Sequence, residues 1–306
     1  MKVTICIPCY NASRWVRQCV QSALDQQGIE PEVIVVDDGS TDDSAEVVRE
    51  FGDRVTLLAG EKKGAPHARN LAWRHGTGEW VQFLDADDWL EPAKIATQLR
   101  EAPDAEIIHS PIWIENWTDS GSTREHSQTA PDEDIFTQWI TWQIQQTGCA
   151  LWRRATLENL GGWKEGQPCC QEHELYLRAI IAQKNFRYAP TAGAVYRIWS
   201  EGTLCRKDPR LVARVRTGLI DSLLAWLKEN RKLTEKHLAA AGQVFFETAR
   251  TWARFDLAEA AAYAAERKAR GPYRVIGPAA PRSYRIIHRL LGFTCAEKIA
   301  RSIRSA

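Results

Sequence analysis

The chain has 306 residues, 44% of them hydrophobic and 26% charged, ordinary usage that excludes a disordered, collagen-like or coiled-coil polypeptide and suits one catalytic domain with a smaller extension. The formal net charge of +1 hides a split: residues 267–306 carry ten Lys/Arg and one acid, net +9, against net −8 for the rest. A basic tail of that kind suits an anionic surface, either a membrane leaflet or a polyanion, or remains a solvated tail.

The apolar run before Pro8 is too short for a signal peptide, and nowhere do about 18 apolar residues follow one another. The expectation is a cytoplasmic chain, at most peripheral at the inner face of a membrane. Residues 3–7 make the first predicted strand. Trp15, Val16, Cys19, Val20, Ala23 and Leu24 then recur at helical spacing. Residues 33–36 are all apolar, as in a strand covered on both faces, and stop at Asp37-Asp38-Gly39-Ser40-Thr41-Asp42. That cluster supplies a turn and an N-cap for a helix over 45–51.

A third strand follows at 55–58, a helix runs from Pro66 to about residue 75, and a fourth strand at 80–84 ends in Asp85-Ala86-Asp87-Asp88. The pattern continues with a helix at 93–99 and a strand at 107–108. Residues 112–131 are polar, aromatic and without period, which predicts a long loop able to cover a site. Next come a helix, a strand near 150–152, the Leu160-Gly161-Gly162-Trp163 turn and a helix from close to Gln171; beyond Asp208 the pattern is helical. The fold class is therefore α/β, a mainly parallel sheet flanked by helices with a C-terminal helical extension.

The eight cysteines, at 6, 9, 19, 149, 169, 170, 205 and 295, lack metal-ligand spacing and read as reduced thiols. Of the 13 Trp, residues 113, 117, 139 and 142 stand in polar surroundings, where an indole either stacks on a sugar face or fills a core.

In open parallel sheets, ligands bind at the carboxyl ends of strands. Three such ends carry Pro8-Cys9-Tyr10-Asn11, Asp37-Asp38-Gly39-Ser40 and Asp85-Ala86-Asp87-Asp88. Asp85 and Asp87 can set two carboxylates around one hard divalent cation, Mg2+ or Mn2+, with water and diphosphate completing its shell. Such an ion neutralises charge on a departing nucleoside diphosphate. Gly-x-Gly-x-x-Gly and Walker patterns are both absent, which disfavours dinucleotide oxidoreductase and P-loop chemistry.

Pro8-Cys9-Tyr10-Asn11, Val35-Val36-Asp37-Asp38-Gly39-Ser40-Thr41-Asp42, Gly64-Ala65-Pro66-His67-Ala68-Arg69-Asn70 and Phe83-Leu84-Asp85-Ala86-Asp87-Asp88, in that order, resemble the family 2 glycosyltransferases, inverting enzymes with the GT-A nucleotide-diphospho-sugar transferase fold. The resemblance continues through Gly161-Gly162-Trp163 and Gln171-Glu172-His173-Glu174-Leu175-Tyr176-Leu177-Arg178 to about Arg206. It implies a catalytic domain over 1–207, with a nucleotide-binding half at about 1–110 and an acceptor half at about 111–207, and a basic helical extension over 208–306.

The resemblance further implies that Pro8, Tyr10 and Asn11 shape the nucleotide pocket and that Asp38 hydrogen-bonds the base. Arg69 and Ala86 then lie near the nucleotide, and Asp85 and Asp87 serve ribose and metal. A carboxylate that reads a base N–H favours UDP, dTDP or GDP donors. Glu172 matches the base that takes the acceptor proton, with Glu174 as a rival whose alternative is an i,i+4 salt bridge to Arg178. Gln171 stands where many relatives carry the first acid of a pair, and Trp199 where His is often found.

Arg197 and Arg206 are the candidates to close over the diphosphate. The implied reaction moves a sugar to a hydroxyl of a glycan or lipid-linked acceptor, most often in cell-surface polysaccharide synthesis, with no nucleic-acid partner. The alternatives are a non-catalytic nucleotide-sugar binding module and a nucleotidyltransferase, although the basic Gly-rich loop of the latter is missing. In the tail, Arg282, Arg285 and Arg289 with Tyr284, Ile286, Ile287, Leu290 and Leu291 make a basic amphipathic stretch that either packs on the protein or lies on a membrane surface.

Overall fold

The computed structural model describes residues 1–118, 120–127, 134–144, 146–199 and 208–305. The chain divides into two compact units, Met1–Glu133 with Ile144–Lys207, and Asp134–Gln143 with Asp208–Ala306.

In the first unit β1 (Lys2–Cys9), β2 (Glu30–Asp37), β3 (Val55–Ala59) and β4 (Trp80–Phe83) are linked in turn by α1 (Val16–Leu24), α2 (Ser44–Arg49) and α3 (Ala65–His75). There follow β5 (Trp89–Leu90), α4 (Lys94–Glu101), β6 (Ile107–His109), β7 (Ile112–Thr118) and β8 (Gly121–His126). After α5 (Ile135–Ile140), which belongs to the second unit, the chain returns as β9 (Ala150–Arg153), α6 (Arg154–Leu160), α7 (Gln171–Ile181), β10 (Phe186–Tyr188) and β11 (Ala194–Ile198).

Among the described residues these strands form a seven-stranded sheet ordered β10-β6-β9-β4-β1-β2-β3 and a four-stranded sheet ordered β5-β11-β7-β8. In the larger sheet β9 alone runs antiparallel to its neighbours β4 and β6. Its central strands are apolar on both faces because helices cover both: Val3, Ile5, Ile7 and residues 33–36 are buried.

Residues 112–118 and 121–126 are not a loop. They form β7 and β8, an antiparallel pair running from Trp113 opposite His126 to Thr118 opposite Gly121, with β7 also parallel to β11. β8 is exposed along its length, so it has no buried face to impose a two-residue alternation.

The second unit adds α8 (Pro209–Glu229), α9 (Glu235–Trp252), α10 (Leu257–Arg270) and α11 (Arg282–Ser305), the last interrupted at Gly292 with φ 76°. Ile220, Leu223, Leu227, Phe245 and Phe246 are buried in it. Asp134 caps α5 by accepting the Phe136 N–H, and its carboxylate also meets His237 Nε2 of α9 at 2.9 Å.

Candidate active site

Strand register builds the site. Cys9 lies opposite Asp37, Asp37 opposite Ala59, and Cys6 opposite Phe83, so the residues after β1, β2 and β4 emerge together at one sheet edge. A cavity of about 790 Å3 opens there. Pro8, Tyr10, Asn11, Asp38, Arg69, Asp85, Ala86 and Asp87 all line it, so the structure brings together every residue the sequence assigns to nucleotide and metal.

The first two loops are tied to each other. Asn11 adopts a left-handed φ of 49°, and its N–H donates to Ser40 Oγ at 3.0 Å while its side-chain oxygen accepts the Thr41 N–H at 2.8 Å. Asp42 accepts the Ser13 N–H. Burial would raise its carboxyl, yet the hydrogen bonds from Ser44 and Ser13 outweigh it and bring it down to about 2. The buried Asp38 carboxylate accepts the Gly64 N–H at 2.7 Å and the Lys63 N–H at 3.3 Å, pinning the entry to α3. Gly39 has φ 81°, a left-handed backbone that glycine adopts without strain.

Arg69, on the first turns of α3, is buried. Its guanidinium lies 4.4 Å over the Trp163 ring, donates to Asp85 at 2.7 Å and reaches Gln171 Oε1 at 2.9 Å. The Asp85 carboxylate is thereby held in place by a cation. Asp87 has no cation on its carboxylate among the described residues; Trp199 Nε1 donates to it at 2.9 Å. Burial and the neighbouring Asp85 raise its carboxyl above the usual range, so a positive charge beside it would be favoured. Asp85 and Asp87, two of the carboxylates lining the cavity, supply oxygen donors of the kind a hard divalent cation accepts, with the cavity open for further ligands. Among the described residues no group of three or more His, Cys, Asp or Glu is arranged to hold a metal, so most of the shell would come from ligand and water.

At the start of α7, Gln171 lines the cavity, while Glu172, the next residue, is not among the residues that line it. A quarter of the Glu172 side chain is exposed, at 25%, and it meets His173 Nδ1 at 3.2 Å. Burial pushes its carboxyl up, but His173 and Arg69 hold it below the usual carboxylate range, so it is ionised at neutral pH. Glu174 is turned inward as a salt bridge to Arg178 at 2.9 Å, and Arg178 also donates to the carbonyls of Leu160 and Gly162. Its role is to lock α7 onto the end of α6.

Arg197 is a correction. It does not line the cavity; it is 1% exposed, with Nε on Glu115 at 3.0 Å, Nη2 on Gln18 at 2.8 Å, Nη1 on the Asp87 carbonyl at 2.5 Å and its plane 4.1 Å from the Trp15 ring. A guanidinium so engaged braces the Asp87 loop from behind. Arg206 lies outside the described residues.

None of Trp113, Trp117, Trp139 and Trp142 lines the cavity. Trp139 is fully buried, Trp113 stacks under Arg124, Trp142 under Arg216, and Trp117 packs on Trp15. Trp199 lines it instead. Lys62, Lys63, Gln167 and Pro168 also line it; the adjacent cations at 62 and 63 before Gly64 were the available sequence signal.

With that geometry in place, comparison with known proteins is informative. The model of "Glycosyl transferase family 2" matches residues 4–161. The putative glycosyltransferase EpsH of Bacillus subtilis is 26% identical over 245 residues, covering 76% of this chain and 71% of that protein. Glycosyltransferase GlyA of Streptococcus pneumoniae is 36% identical over 99 residues, 31% of this chain but 14% of that protein, so this match spans a small part of GlyA's length. Among solved structures, S. aureus TarS 1-349 in complex with UDP-GlcNAc superposes with TM-score 0.67 at 16% identity, covering 100% of this chain and 92% of that one. The mannosyltransferase PcManGT from Pyrobaculum calidifontis, in complex with GDP-Man and Mn2+, gives TM-score 0.53 at 21% identity, covering 97% and 86%. These likenesses establish the GT-A fold.

Proposed function

The chain belongs to glycosyl transferase family 2, and from that premise we propose that it is an inverting glycosyltransferase whose cavity takes a UDP, dTDP or GDP sugar. The observation that carries this reading is the convergence of Asp38, Arg69, Asp85 and Asp87 on one cavity at the carboxyl edge of the sheet. The base enters between the β1 and β2 loops, near Tyr10 and Asp38. Asp85 takes the ribose, and Lys62 and Lys63 attract the diphosphate. Asp87 would hold a divalent cation, Mg2+ or Mn2+, and that ion would supply Lewis-acid neutralisation of the leaving diphosphate. The relatives support a nucleotide-sugar donor, since TarS carries UDP-GlcNAc and PcManGT carries GDP-Man with Mn2+.

Glu172 is the base. It is ionised, placed one residue after the cavity wall, and removes the proton from an acceptor hydroxyl as that oxygen attacks the anomeric carbon opposite the diphosphate. The acceptor is a glycan or lipid-linked hydroxyl, in cell-surface polysaccharide assembly on the cytoplasmic side. Gln171 Oε1 accepts from Arg69, so glutamine at 171 keeps a contact to that arginine.

Replacement Glu172→Gln tests the assignment. Nucleotide affinity should be retained, while release of nucleoside diphosphate in the presence of acceptor falls about 100- to 10,000-fold. Full turnover in that variant would remove Glu172 from the chemistry.

A further inference from the structure

We propose that the outward face of α11 docks on an anionic lipid surface. Among the described residues, exposed large hydrophobic side chains are few, and two of them, Ile286 at 55% and Leu290 at 75%, stand one turn apart on this face before the break at Gly292. Exposed aliphatic side chains set side by side among cations on one helix face mark an interaction face.

The placement is fixed by packing on the opposite side. Tyr284 and Ala296 are buried against Phe246 of α9, with Ile287 and Phe293 packed beside them. Tyr284 Oη donates to Glu297 at 2.7 Å, and Glu297 also pairs with Arg250 at 2.6 Å. The one acid of residues 267–306 is thus turned inward. Residues 282, 285, 286, 289 and 290, spaced i, i+3, i+4, i+7 and i+8, share the outward face. Arg282, Arg285 and Arg289 on it are exposed and form no ion pair among the described residues.

Three unpaired guanidinium groups beside Ile286 and Leu290 match the two layers of a bilayer interface. The cations meet lipid phosphates, and the aliphatic side chains enter the acyl boundary. Residues 267–306 carry a net charge of +9, and although Arg267, Arg270 and Arg274 are paired with Asp221, Glu266 and Glu235, the Arg282–Arg289 segment stays cationic and complements an anionic leaflet. Among the described residues no helix is long and apolar enough to cross a membrane, so contact is lateral. Nucleic acid fits the charge but not the aliphatic row, which offers neither base stacking nor hydrogen bonds.

Co-sedimentation of the full chain with phosphatidylcholine vesicles, with and without phosphatidylglycerol, tests this. Binding is expected to the anionic vesicles and to weaken with salt. Each arginine near such a surface contributes about fivefold, so Arg285→Gln with Arg289→Gln should weaken binding about 25-fold. Ile286→Ser with Leu290→Ser should also weaken it, with the far-UV circular dichroism of both variants unchanged because all four sites are exposed. Failure of the unaltered chain to bind anionic vesicles, or wild-type binding by both double variants, overturns the proposal. Sedimentation velocity covers the other occupant: a dimer that Ile286→Ser with Leu290→Ser dissociates, without vesicle binding, makes the face a contact between copies and likewise overturns it.

Discussion

Glu172 and Glu174 lie two residues apart on one helix, yet their surroundings give them different work. Glu174 faces Arg178 and a packed turn, whereas Glu172 keeps a quarter of its side chain open. Arg197 shows the same dependence on placement. Its guanidinium is the buried partner of Glu115, and removing one member of a buried pair leaves the other uncompensated, at a cost of about 3–5 kcal/mol. Arg197→Met should therefore lower the melting temperature sharply; an unchanged melting temperature with lost turnover would return Arg197 to the diphosphate.

Lys94 is a second buried charge. It is 3% exposed, donates to Gln82 Oε1, and burial brings its amine down to about 7 from the usual 10.5. Between those two values the unfolded chain binds more protons than the folded one, so stability from this group rises with pH through that window and is lowest below about pH 7. The penalty there is of the order of 5 kcal/mol. Lys94→Met should accordingly raise the unfolding free energy more at pH 6 than at pH 9.5, by urea titration at both. An equal effect at the two pH values would mean the amine is not desolvated.

At the scale of elements, the turn after α6 joins two helices that the sequence leaves apart. Gly162 has φ 77°, and a Cβ there would lie 2.5 Å from Asn70 Oδ1 and 2.9 Å from Trp73 Nε1. Asn70 of α3 accepts the Trp163 N–H at 2.9 Å and donates to the Trp163 carbonyl at 2.8 Å, and Trp163 in turn carries Arg69. Gly162→Ala should cost about 2 kcal/mol or more and weaken nucleotide binding through Arg69. A thermal scan and a binding isotherm that both match wild type would sever that connection.

Strands with apolar runs and helices with a clear stripe were readable in the sequence, because burial on a fixed face imposes a period. β8 was not, since an exposed edge strand has no such face. Donor-side residues such as Asp38 and Asp85 were readable because chain order puts them at strand ends. Trp199 on Asp87 and Arg197 behind it were not, because those contacts join residues 112 and 110 positions apart.

For the whole molecule, the grouping of residues 134–143 with the C-terminal helices was likewise invisible in chain order. It comes from the Asp134 contact to His237 and from Phe136, whose ring lies 5.5 Å from His237 and 6.0 Å from Trp226, all long-range. By contrast, the basic balance of residues 267–306 was legible from composition alone, although the inward turn of Glu297 that leaves the outer face without an acid needed the structure.

Calorimetric titration with UDP, GDP and dTDP, each with and without Mn2+, on the wild-type chain and on Asp87→Ala tests the nucleotide-sugar site most directly. Manganese-dependent binding of one diphosphate, lost in Asp87→Ala while the fold is retained, is the expected result. Absence of any nucleotide binding, or binding that neither manganese nor Asp87→Ala alters, would contradict it.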